Sequence, residues 1–221
     1  MAAATGARQR AVREDHIRNH AKLLDAALEL FDARGLDVPL REIGAHAGVS
    51  NAGVFRHFAN RDQLIVEVYE RAATALSDRV VAALVNARDE SAQERLDTLL
   101  NTVVTGMLER PCYGQLAARG IRLRPDSVPD PALVAELGSV IAAGQNAGLL
   151  APDISGTDLV SVARLAAGTL TSGPTPAEQA ATAALRKRMM TIVRRGLAPH
   201  AQDVAAMPTF STLAAPDDAS E

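Results

Sequence analysis

The stretch from Pro39 to Phe58 constrains this chain more than any other. Leu40, Ile43 and Ala47 fall at i, i+3 and i+7, which makes one apolar face of a short helix. Pro39 suits the first position of that helix, where a missing N–H costs nothing. Gly48 suits its end, where the chain must pass through the left-handed region. Val49 is the apolar pin in the turn, and Ser50 is a good N-cap for a second helix. Val54 and Phe58, four apart, point back to a core and leave Asn51, Ala52, Phe55 and Arg56 outside. Two short helices braced across a glycine turn, the second polar and basic on its outer face, are the pattern of a helix-turn-helix.

The rest of the chain reads as helix. It has 221 residues, 48% hydrophobic and 22% charged, with aromatics at 3%, no Trp and a single cysteine. An alanine- and leucine-rich, aromatic-poor composition favours helix over sheet. Residues 1–14 read as a flexible basic arm and about Asp15 to Arg34 as the first helix. Its stripe is Ile17, Ala21, Leu24, Leu28 and Phe31, and Gly35 stops it. Asn60 with Gln63 caps a long helix over 60–86, on the order of 40 Å at 1.5 Å per residue. Ser91 with Glu94 opens a helix from Ala92 to Glu109, and a short one follows Pro111, from about Tyr113 to Arg122. Asp130-Pro131 starts another that runs to Asn146 and stops at Gly148. Ser155 with Asp158 opens a helix to Leu170. Thr175, Pro176 and Glu178 open the last, which ends at Gly196. The acidic, proline-bearing stretch 197–221 reads as a disordered tail.

Residues 21–69 resemble the N-terminal domain of the tetracycline-repressor (TetR-type) regulators. The resemblance is carried by Leu24, Ala26, Ala27, Leu30, Phe31 and Gly35, then Ile43, Gly44, Ala47, Gly48, Val49 and Ser50. Phe55, His57, Phe58, Arg61 and Leu64 complete it. Three positions depart from the family pattern. Val38 and Pro39 stand where a Thr or Ser often precedes the motif, Phe55 replaces a Tyr, and the recognition-helix glycine comes one place late, at Gly53. The resemblance implies an all-α fold with an N-terminal three-helix DNA-binding domain over 15–62. A larger C-terminal ligand-binding and dimerisation domain follows over 63–196, joined through the long helix. It also implies that His57 and Arg61 contact phosphates. With the outward residues of the motif, the DNA-facing set is Arg41, Ser50, Asn51, Ala52, Phe55, Arg56, His57 and Arg61. Arg pairs with guanine and Asn with adenine in the major groove.

For the ligand pocket that the resemblance places among the C-terminal helices, the polar or adaptable residues are Asn101, Thr105, Met107, Tyr113, Gln115, Arg119 and Gln145. Arg119 also belongs to a basic cluster with Arg122 and Arg124, which reads as a solvated face; the sharper alternative is that Arg119 or Arg122 reaches an acidic ligand. Small and apolar residues at helical spacing mark a dimer face: Ala163, Ala167 and Leu170 on one helix, Ala181, Leu185, Met189 and Ile192 on the next.

Catalysis finds little support. No glycine loop for phosphate and no nucleophile elbow is present, so the chain is expected not to be an enzyme and to need no cofactor. His16 and His20 stand at i, i+4, a spacing that holds zinc, but no third ligand is evident, and no metal is expected. Cys112 reads as a small buried hydrophobe or as a redox sensor. One cysteine, no apolar leader and no run of ~18 apolar residues fit a soluble, cytoplasmic protein without a membrane partner. The net charge of −3 is less basic than a nucleic-acid binder often shows. The function expected is a ligand-responsive transcriptional regulator, a repressor that binds a palindromic operator as a homodimer and is released by a small-molecule effector. Two alternatives stay open: a helical ligand-binding or enzymatic protein with a vestigial motif, and a regulator gated by a protein partner.

Overall fold

The computed structural model describes residues 2–124, 128, 130–159, 161–162, 184–185, 187–188, 191–193 and 195–199. Seven helices are described from end to end: α1 (Ala2–Arg34), α2 (Leu40–Ala47), α3 (Asn51–His57), α4 (Arg61–Asn86), α5 (Ala92–Leu108), α6 (Tyr113–Leu123) and α7 (Pro131–Asn146); helical residues beyond α7 are described only in part. No strand occurs among the described residues, and none of the helices is long and apolar enough to cross a membrane. The chain is all-α, as its composition predicts.

The helix ends follow local chemistry. Gly35, Gly48 and Gly148 take positive φ (77°, 67° and 68°) at the ends of α1, α2 and α7. Ser91 and Glu94 form a reciprocal capping box, and Ser155 and Asp158 exchange the same pair of bonds. At α4, Asn60 caps Gln63 N–H, while the Gln63 side chain accepts from Ala59 N–H rather than from Asn60. Pro39 stands as the N-cap of α2 rather than at its first position.

Three further expectations change. Helix α1 begins at Ala2, so the stretch expected as a flexible arm continues the helix. Its alanines, arginines and glutamine are strong helix formers, and the lone Gly6 is too little to stop them. Ile17, expected in the buried stripe, is 60% exposed. At that level of α1 it is His16 and His20 that lie against α3. The tail expected from residue 197 begins instead with a buried Leu197, whose carbonyl accepts from Ala151 N–H at 2.9 Å. The cap at Thr175 and the tail beyond Pro199 lie outside the described residues.

Helix α4 is the axis of the molecule. It packs on α1 at its start and on α5, α6 and α7 further along. One apolar core runs with it, from Leu23, Phe31, Ile43, Val54 and Phe58 in the head to Leu84, Leu96, Leu100 and Leu116 beyond. Polar ties reinforce it: Arg71 pairs with Asp25 across α4 and α1 at 2.5 Å, and the buried Arg95 donates to Ser139 Oγ across α5 and α7 at 3.0 Å.

Candidate nucleic-acid interface and ligand cavity

The turn between α2 and α3 is built from glycine and serine. Gly48 lets the chain reverse, and Val49 N–H bonds back to the Gly44 carbonyl at 2.8 Å. Ser50 Oγ accepts from Gly53 N–H at 3.2 Å and caps α3. The two helices cross closely at Gly44, where an added Cβ would lie 2.5 Å from Val54 Cγ2 and 3.1 Å from the Val49 carbonyl. Gly53 is buried for the same reason: an added Cβ would lie 2.7 Å from Val49 Cγ1. The late glycine of α3 is therefore a packing residue. Val54 and Phe58 are fully buried.

That packing leaves Ser50, Asn51, Ala52, Phe55 and Arg56 exposed, with Arg41 exposed on α2. Neither Arg41 nor Arg56 is in an ion pair among the described residues. Arg61 turns the other way. Its Nη1 donates to the Val38 carbonyl at 2.6 Å, and its Nη2 is buried without a partner. Its guanidinium holds the connection ahead of α2, which counts against the expected phosphate contact. His57 is half-buried, its ring 4.2 Å from His16 and 5.5 Å from His20 between centroids. His20 stacks on Phe58 and its Nε2 lies 2.8 Å from a Glu67 oxygen. Burial lowers the His57 pKa from its ordinary value, and His16, His20 and Arg56 push it the same way, with Glu67 opposing. His16 and His20 thus acquire a third imidazole, but no group of three or more His, Cys, Asp or Glu among the described residues is placed to hold a metal ion. The i, i+4 spacing was visible in the sequence; its partner on α3 is brought in only by the fold.

Beyond the head, a cavity of about 960 Å³ opens between α4, α5, α6 and α7. Leu76, Val80, Leu99, Val103, Leu137 and Ile141 give it apolar walls. Glu70, Ser77, Arg124 and Asp130 supply polar groups: Arg124 pairs with Glu70 at 3.3 Å, and Ser77 Oγ donates to Asp130 at 3.3 Å. Of the seven residues expected to line a pocket, Tyr113 does so, beside Tyr69. The other six are placed elsewhere. Asn101 and Gln115 are exposed, Met107 is buried in the core, and Thr105 is half-buried off the cavity. Arg119 pairs with Asp62 at 2.7 Å. Gln145 Nε2 donates to the carbonyls of Ala151, Pro152 and Ile154, tying down the loop after α7. Sequence reasoning missed Glu70, Ser77, Arg124 and Asp130, although Asp130 was legible as a cap.

Helix α6 touches both regions. Asp32 of α1 accepts from Arg110 Nη1 at 3.0 Å and from Cys112 N–H at 3.1 Å, just ahead of α6. Arg119 reaches Asp62 at the start of α4, and Gly120 lies directly against the Tyr69 ring. Cys112 is buried. Burial first, and then Asp32, push its thiol pKa far up, so a redox-sensing thiolate is disfavoured. Of the expected dimer residues, Leu185 and Ile192 are exposed on the single chain. Ala163, Ala167, Leu170, Ala181 and Met189 lie outside the described residues.

The same helical arrangement occurs in solved proteins. A TetR-family regulator from Haemophilus influenzae is similar with a TM-score of 0.57 at 16% identity, covering 82% of this chain and 99% of that one. A tetR-family regulatory protein from Rhodococcus RHA1 gives 0.56 at 19%, covering 82% and 98%. The ketosteroid transcriptional regulator of Mycobacterium tuberculosis gives 0.53 at 19%, covering 82% and 95%. At such identities the likeness is one of fold. No curated protein sequence matches the chain. Residues 23–68, the end of α1 through the first turns of α4, match the model of bacterial regulatory proteins of the tetR family. Residues 23–68 are thus a domain of the tetR-family type, set in an all-helical fold that such regulators share.

Proposed function

We propose that the protein is a ligand-responsive transcriptional repressor. It binds a palindromic operator as a homodimer and is released when a small molecule occupies the cavity among α4–α7. The observation that carries this reading is the continuity of α4: its start supports the head, and its middle, from Tyr69 to Val80, is a wall of the cavity. Two α3 helices, one from each subunit, would enter successive major grooves about 34–36 Å apart. A ligand pressing on Tyr69 or drawing Arg124 from Glu70 would shift α6 against α4. The contacts of α6 with Asp32 and Asp62 would carry that shift to the head. A coupling of about 1–3 kcal/mol gives a 5- to 150-fold loss of affinity. The exposure of Leu185 and Ile192 supports a partner-facing surface in the last helix.

Selection of duplexes from random DNA by the full-length protein tests this. A palindrome should be enriched, retained at one dimer per duplex, and released by a protein-free pool of small molecules. Arg56→Ala should weaken binding by about 1–3 kcal/mol and relax preference at one base position. Retention of no duplex above non-specific levels would overturn the reading.

A further inference from the structure

We propose that α3 reads a thymine by its 5-methyl group, through an apolar pair, Ala52 and Phe55, at the centre of its exposed face. This rests on the operator-binding reading above and assigns what the middle of the recognition face detects.

Successive residues of an α-helix turn by about 100°. Measured from Asn51, Phe55 lies at about 40°, Ala52 at about 100° and Arg56 at about 140°. The buried residues Gly53 and Val54 lie at about 200° and 300°, on the opposite side, as their burial requires. The outward face therefore has Asn51 on one flank, Arg56 on the other, and two apolar side chains between them. Phe55 is 55% exposed, and it is the one large apolar side chain on that outward face.

Base edges in the major groove differ in what they offer such a pair. Guanine, adenine and cytosine present acceptors or donors, which Ala and Phe cannot satisfy; thymine alone presents a methyl group. Phe55 also has no hydroxyl to give to a phosphate, so its ring contributes only apolar contact. Charge favours a duplex as the occupant: Arg56 flanks the pair on α3, and Arg41 is exposed on α2. The operator half-site then carries a thymine between the positions met by Asn51 and Arg56.

The test uses the full-length dimer and the palindrome it enriches. Each thymine is replaced in turn by deoxyuridine, which removes only the methyl, and affinity is read by fluorescence anisotropy at fixed salt. One position per half-site should be sensitive, losing about fourfold when one copy is replaced and about fifteenfold when both are. Phe55→Ala should weaken binding to the thymine operator and make thymine and uracil equivalent at that position. If every uracil duplex binds like its parent, the methyl reading is wrong while operator binding stands. It is equally wrong if Phe55→Ala keeps full discrimination. If no duplex is enriched at all, the operator reading fails and takes this inference with it. The uracil series uses the unaltered protein, so its outcome does not depend on how any variant folds.

Discussion

His57 closes α3 with one ring nitrogen, Nδ1, buried and unpartnered, and with two further imidazoles beside it. In the unfolded chain the ring titrates near 6.5; in the folded head its pKa is lower, chiefly through burial. The folded state therefore prefers the neutral form. Above pH 6.5 neither state holds the proton and this contribution is constant. Below it the unfolded chain takes up a proton that the folded chain resists, so stability falls until the pH drops through the folded value. The urea midpoint of the head should decline between pH 7 and pH 5.5, and His57→Asn should flatten that decline. A slope left intact in His57→Asn would place the titration elsewhere. None of this was legible in the sequence, because His16, His20 and His57 converge only when α1 lies across the end of α3. Arg61 shows the same limit. Its guanidinium donates to the Val38 carbonyl, twenty-three residues back along the chain, a pairing that no local pattern announces.

At the scale of elements, the close crossing of α2 and α3 makes Gly44 decisive. Alanine there gains about 1 kcal/mol in helix propensity. It loses about 1–3 kcal/mol to overpacking. The loss should prevail, because one of the groups met is the Val49 backbone carbonyl, which cannot rotate away. Gly44→Ala should lower the melting temperature of the head, and Gly44→Ala with Val54→Ala should recover part of the loss; calorimetry on both variants decides it. Apart from the start of α1, the helix boundaries among the described residues were readable because their causes are local. Ser91 and Glu94, Asp130 and Pro131, and the three glycines at positive φ announce themselves within a few residues. The cavity lining was not readable, because it depends on which side of each helix faces the others. Asn101 and Gln115 are polar and were plausible ligand contacts, yet their faces turn outward, while Ser77 lies on the buried side of a helix read chiefly for its apolar stripe.

For the whole molecule, the proposed repressor turns on its dimer. Leu185 is 48% exposed on the single chain, so a charge placed there meets solvent in the monomer. Leu185→Glu should leave the helical circular dichroism unchanged, give a monomer by sedimentation, and abolish binding to the enriched palindrome. A helical, dimeric Leu185→Glu protein with intact binding would place the interface elsewhere. Leu185 and Ile192, seven apart and both exposed, are the apolar pair that a second copy would cover. The length of α4 carries its own consequence. From the middle of the cavity wall to the first turn of the helix is about fourteen residues, or about 21 Å. A rod of that length tipped by about 5° moves its far end by roughly 2 Å, and a two-fold axis turns this into roughly 4 Å between the heads. Against a groove repeat of about 34 Å the change is small, but side chains that must meet base edges within hydrogen-bond reach have far less tolerance than that. In the proposed mechanism a ligand would therefore have no need to unfold or reorder anything; leverage alone would convert a shift of a few degrees into loss of register.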